Sequence, residues 1–205
     1  MIFTPARVPA PTDVLPKVEC VVPYLTKALR LGIGYADEQQ PDPDDRDLWF
    51  WSHGARWLAR RHLLSVPSPK GWGINPEVPN SGIHLRIADI HDIRVLWSLA
   101  GTVPHPGQNR ARRKAWIQDT IPPQDGGLRP LSLLMDWQVH NDEPLVYLSL
   151  PKRPWRYGSD PEVHWRIPVT GDTDKDLNNL TFNPGLLPGD VTVTIKVDPA
   201  ESEVG

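Results

Sequence analysis

The chain has 205 residues, 39% hydrophobic and 23% charged, with a formal net charge of −3. That profile suits a globular fold with one sizeable core and excludes a strongly basic, polyanion-coating chain. A single cysteine excludes an internal disulfide framework, and no stretch approaches the ~20 apolar residues of a bilayer-spanning helix. The expectation is a cytoplasmic chain with no membrane partner.

Residues 1–16 carry prolines at 5, 9, 11 and 16 and read as an extended arm. Residues 18–31 read as a first helix ended by Gly32 and Gly34. Cys20, in an apolar run, reads as a buried thiol. The acidic stretch 39–47 reads as a loop whose aspartates cap the next helix, residues 45–64. Gly54 is the weak point of that helix, costing about 1 kcal/mol relative to alanine.

Residues 65–81 read as a loop around Trp72. Residues 82–88 alternate Ile83, Leu85 and Ile87 against His84 and Arg86, a half-buried strand. Asp89 reads as the N-cap of a helix over 90–100, and residues 108–120 as a short basic helix. Residues 131–139 are ambiguous. From residue 143 onward, the runs 145–150, 162–169 and 191–197 read as strands separated by turns. The predicted fold is therefore α+β. N-terminal helices with a short strand precede a β-rich C-terminal part, in a single compact domain with extended arms. Its parts are an arm over 1–16, a domain over 17–198 (helical to 121, β-rich from 143) and an acidic tail over 199–205.

The segment 48–64, LWFWSHGARWLARRHLL, is the most unusual in the chain. At 100° per residue, Leu48, Trp51, Ala55, Leu58 and His62 form one stripe, the spacing of a packing seam. The other side mixes Trp49, Phe50, His53, Arg56, Trp57, Arg60 and Arg61. Two later segments repeat the pairing of base and aromatic ring. One holds Arg110, Arg112, Arg113 and Lys114 beside Trp116; the other holds Lys152, Arg153 and Arg156 around Trp155 and Tyr157. Arginine forks onto phosphate oxygens, and an aromatic face stacks an unpaired base. If the three segments converged, they would form a groove for nucleic acid, RNA or DNA. The competing reading is that the tryptophans are buried with arginine stems laid over them.

Residues 48–167 carry a net +5, whereas 168–205 carry −5, a mildly basic body with an acidic tail. The leading expectation is a noncatalytic subunit that contacts nucleic acid through Arg56, Trp57, Arg60, Arg61 and the two downstream basic sets. The same residue types also suit a protein–protein adaptor, because Trp and Arg dominate binding hot spots. The third reading is an enzyme with a dispersed site. His140 and Asp142 have an H-x-D spacing that a distant His164 could complete into an iron site. His91 and Asp92 are a weaker acid–base candidate, and Asp172, Asp174 and Asp176 a partial calcium-loop pattern. No nucleotide-cradling, nucleophile-elbow or zinc-protease motif is present, and no cofactor is expected.

Overall fold

The computed structural model describes residues 9–67, 71–76, 82–87, 91–106, 116, 131–152, 155, 158–172 and 176. Three helices come first: α1 (Pro11–Val18), α2 (Val22–Gln39) and α3 (Leu48–Ser65). Six strands follow: β1 (Trp72–Ile74), β2 (Ile83–Ile87), β3 (His91–Trp97), β4 (Leu131–His140), β5 (Glu143–Pro151) and β6 (Val163–Pro168). The fold is α+β, as the order of sequence patterns predicts.

The helices correct several expectations. α1 begins inside the stretch expected to be an extended arm and runs past its end. Pro11 sits in its first turn, where a missing N–H costs nothing, and the Asp13 carboxylate accepts the Ala10 N–H at 3.0 Å. Val14, Leu15 and Val18 of α1 are buried. Cys20 is exposed in the turn after α1, its thiol 3.7 Å from the Lys17 carbonyl oxygen. α2 does not stop at Gly32 and Gly34 but runs on to Gln39. Gly32 is used for a close crossing instead: a Cβ there would lie 2.0 Å from the Ala55 carbonyl oxygen of α3. α3 starts at Leu48, later than the expected Asp45, because the Asp47 carboxylate caps it, accepting the Trp49 and Phe50 N–H groups at 2.9 and 3.1 Å.

The strands form one sheet in the order β1-β2-β3-β4-β5-β6. Every pairing is antiparallel except β3 with β4, which is parallel. β3 overturns the helix expected over 90–100. Ile93, Val95 and Trp97 face one way and Leu96 the other, a period of two. The apolar positions of that stretch also fit a helical period. What decides is β2, which pairs Ile83–Ile87 against His91–Val95. The ambiguous stretch 131–139 is β4, buried on both faces between β3 and β5. Sheet structure thus begins at Trp72, well inside the stretch expected to be helical. The strands expected over 145–150 and 162–169 are β5 and β6. The one over 191–197, the acidic tail and most of the basic helix over 108–120 lie outside the described residues.

Alternation along the strands separates two faces. Leu133, Met135 and Trp137 of β4, with Val146, Leu148 and Leu150 of β5, join a core containing α1, α2 and α3. On the reverse face Leu96 and Leu134 pack with Trp116 and Trp155. Bidentate contact of the Arg30 guanidinium with Glu143, at 2.7 to 3.1 Å, ties α2 to the β4–β5 turn. The Trp165 indole N–H donates to the Pro9 carbonyl oxygen at 2.8 Å, fixing the entry to α1 on β6.

Candidate functional site

α3 presents its aromatic residues in two directions. Its buried side is Trp51, Ser52, Ala55, Ala59 and Leu63, so the seam is rotated from the one expected. Trp51 and Ala55 belong to it, while Leu48 is exposed and Leu58 and His62 are half-buried. Trp51 reaches the sheet, with ring centroids 5.8 Å from Trp137 and 6.5 Å from Trp97. Its indole N–H donates to Asp37 Oδ1 at 2.8 Å. Asp37 also pairs with Arg46 at 2.9 Å, and the Arg46 guanidinium lies 5.1 Å from the Trp51 ring centroid. These contacts satisfy the buried indole and hold the acidic loop against both helices.

The outward side is apolar where a lone surface helix would be polar. Trp49 is 71% exposed, Phe50 51%, Trp57 41% and Leu64 45%. Phe50, Trp57 and Leu64 recur every seven residues, directly opposite the Ala55–Ala59 side. Trp49 and His53 stack at 5.5 Å with an interplanar angle of 13°. Tyr35 of α2 meets Trp57 at 5.9 Å. Between the helices Tyr35, Ala36, Gln39, Phe50, Trp51, His53, Gly54 and Trp57 line a cleft of about 240 Å³. That is below the ≈300 Å³ at which small-molecule pockets begin, a size for an anchoring side chain. Partial burial, with Arg56 beside it, holds the His53 imidazole below its usual range; Arg56 Nη2 and His53 Nδ1 are 3.1 Å apart.

Charge reverses along this surface. Residues 37–47 hold six acids and one arginine, whereas residues 48–67 hold three bases and no acid. Asp42, Asp44, Asp45 and Asp47 are exposed. At the far end, the Arg61 guanidinium lies 5.6 Å from the Trp57 centroid, and Arg60 donates to the Pro76 carbonyl oxygen.

The tryptophans of the three basic segments do not share a face. Arg56, Trp57, Arg60 and Arg61 ride on α3, over the helical core. Trp116 and Trp155 are buried on the reverse face of the sheet, where the Trp155 N–H donates to the Trp116 carbonyl oxygen at 3.2 Å. Trp155 stands edge-on to His105 and donates its indole N–H to the Ser159 carbonyl oxygen. Lys152 pairs with Glu162 at 2.9 Å. Arg110, Arg112, Arg113, Lys114, Arg153, Arg156 and Tyr157 lie outside the described residues.

A second polar cluster, missed in the sequence, lies on the reverse face. Asp136 is fully buried. Its carboxylate accepts the Ser98 hydroxyl at 2.7 Å and pairs with Arg166, whose guanidinium stacks 3.8 Å from the Tyr147 centroid. Gln138 donates to Ser98 Oγ at 3.1 Å. Burial outweighs the Arg166 and Ser98 contacts and holds the Asp136 carboxyl above its usual range. With no exposed surface, Asp136 reaches no substrate; the cluster joins β4 to β6 and to the end of β3. A lone aspartate inside the apolar run LSLLMDWQV was the available signal.

The dispersed metal readings come apart. His140 and Asp142 flank the β4–β5 turn, where Asn141 and Asp142 take positive φ. His164 sits beside Leu150 and Pro151, the other end of β5, about 25 Å away at ~3.3 Å per residue. The Asp176 carboxylate is 2% exposed and occupied by the Thr170 N–H and hydroxyl at 2.8 to 3.0 Å. His91 and Asp92 lie on β3, not at a helix start. Among the described residues no group of three His, Cys, Asp or Glu could hold a metal ion, and no helix is long and apolar enough to cross a membrane.

No protein-family model, curated protein or solved structure matches this chain.

Proposed function

We propose that this chain is a noncatalytic binding subunit of a cytoplasmic assembly, and that its working surface is the outward side of α3 with the adjoining cleft. The observation that carries the reading is the stripe Phe50, Trp57 and Leu64, exposed beside Trp49 on a helix whose other side is fully packed. Its occupant is an apolar helical segment of a protein, basic where it meets residues 37–47 and acidic where it meets Arg56, Arg60 and Arg61. Helix-in-groove recognition uses such anchors at helical spacing, and the 240 Å³ cleft takes one of them.

Single-stranded nucleic acid would also stack on Trp49 and Trp57. However, the exposed aspartates adjoin Trp49 in the chain, well within a Debye length of about 8 Å, and they repel phosphates there. The downstream tryptophans are buried on the opposite face of the sheet, so they extend no stacking track from α3. Both facts favour a protein partner.

Fluorescence anisotropy tests this with labelled helical peptides carrying a tryptophan anchor. One has a basic half and an acidic half; the others are uniformly basic or uniformly acidic. The two-signed peptide is expected to bind in the micromolar range, and Trp57→Ala to weaken it about tenfold. Equal binding of all three peptides, or no effect of Trp57→Ala, would overturn the reading. So would an oligothymidylate that binds while the peptides do not, with steep salt dependence lost in Arg56→Ala/Arg60→Ala. That result would restore nucleic acid as the ligand.

A further inference from the structure

We infer that the segment this surface receives is α3 of a second copy of the same chain, lying antiparallel across a two-fold axis near His53 and Gly54. The inference rests on the docking reading above and names its partner. A two-fold interface places one patch against itself, so the patch must be complementary to its own rotated image. A surface of one charge fails that condition. This one meets it, because residues 37–47 are acidic and residues 48–67 are basic.

The spacing supports the same register. With the axis between His53 and Gly54, Phe50 faces Trp57 of the partner subunit, and Trp57 faces the partner's Phe50. The four rings then form one cluster about 10 Å long, at 1.5 Å rise per residue. Leu64 extends the stripe toward the partner's acidic loop. Asp45 and Asp47 fall opposite the stretch holding Arg60 and Arg61 of the partner subunit.

The exposed parts of Trp49, Phe50, Trp57 and Leu64 supply on the order of 450 Å² of apolar surface. That is the larger share of the ≈800 Å² per partner typical of a stable complex. The charged ends make up the remainder. Antiparallel α3 helices also oppose their dipoles favourably.

Sedimentation equilibrium of the full chain tests the inference, since the monomer mass is 23.1 kDa and a dimer has twice that. Reversible dimerisation in the micromolar range is expected. Asp45→Arg and Arg61→Glu should each weaken it about tenfold, and the double variant should restore it, because the exchanged charges still meet across the axis. A merely structural role would give no such rescue. In a Cys20→Ser background, His53→Cys, beside the axis and next to the exposed Trp49, should form an interchain disulfide, whereas Gly34→Cys on α2 should not.

A chain that stays monomeric at every concentration overturns the inference. A dimer indifferent to Trp57→Ala, or one in which the double charge exchange gives no rescue, overturns it as well. If the two-signed peptide still binds a monomeric chain and Trp57→Ala abolishes that binding, docking stands and only the identity of the partner falls. If neither the peptide nor a second copy binds, both readings fall.

Discussion

Gly32 gives the sharpest test of how α2 and α3 are joined. A Cβ built there would lie 2.0 Å from the Ala55 carbonyl oxygen, 2.9 Å from its carbon and 3.3 Å from its Cα, all backbone atoms of α3. No side-chain rotation relieves that contact, so Gly32→Ala must drive the helices apart by about 1 Å or more. A gap of that size forfeits a quarter to a half of each dispersion contact it opens, and overpacking of this kind costs about 1–3 kcal/mol or more. Alanine's higher helix propensity returns about 1 kcal/mol. The net expectation is a loss of about 1–2 kcal/mol, lowering Tm by roughly 2–8 °C at this chain length. Gly34, two residues on, has nothing within 4 Å of its Cβ position. There the propensity term acts alone, and Gly34→Ala should stabilise by about 1 kcal/mol. Urea unfolding followed by circular dichroism and tryptophan fluorescence would measure both. If the two variants shift stability in the same direction by similar amounts, the close crossing at Gly32 is refuted, and with it the geometry of the adjoining cleft.

Trp51→Ala should cost roughly 3–5 kcal/mol, because it empties the space against Trp137 and leaves Asp37 without its indole donor. Trp57→Ala and Phe50→Ala should stay within about 1 kcal/mol of wild type by the same denaturation assay. Equal costs at Trp51 and Trp57 would invert the assignment of faces. Asp47→Ala removes the acceptor for two N–H groups at the start of α3 and should cost about 1 kcal/mol; a neutral result would mean the cap is replaced by water. Arg166→Met strips Asp136 of its ion-pair partner and should cost about 3–5 kcal/mol at pH 7. That cost should shrink as pH falls, because protonation removes the orphaned charge. In the wild type the Asp136 pKa is raised in the folded state, so the folded chain holds the proton longer than the unfolded one. Its contribution therefore declines as pH rises from the ordinary carboxylate value through the raised one. Unfolding curves for both proteins between pH 4 and 8 would measure both trends, and either one running the other way would refute a buried Asp136–Arg166 pair with a raised carboxyl pKa.

Local chemistry made some elements legible in advance. The aspartates of 39–47 before an amphipathic run announced α3, since a carboxylate there satisfies free N–H groups whatever the rest of the chain does, although which of them is the cap, Asp47, was settled by the fold. Strict alternation of Ile83, Leu85 and Ile87 with polar partners announced β2, because period two has no helical reading. The mixed aromatic and basic composition of α3 was equally plain. So was the acidic stretch 39–47 ahead of that helix.

Tertiary contact decided the rest. His91–Trp97 carries apolar residues at both strand and helix spacings, and pairing with β2 and β4 selects the strand. Gly32 reads as a helix stop until Ala55 is placed against it, where it becomes a point of approach inside a longer helix. The seam of α3 rotated for the same reason: small Ala55 and Ala59 set the closest surfaces, leaving Leu48 and Leu58 off the core. Asp136 and Arg166 are 30 residues apart in the chain, and only the β4–β5–β6 order brings them together. Sequence by itself thus determined the α+β class and the chemistry carried by each helix and strand, because capping, periodicity and charge act within a few residues. Which face that chemistry occupies depends on contacts between distant segments. Only the folded sheet and its helical cover put Trp49, Phe50 and Trp57 in solvent and Trp116 and Trp155 in a separate core.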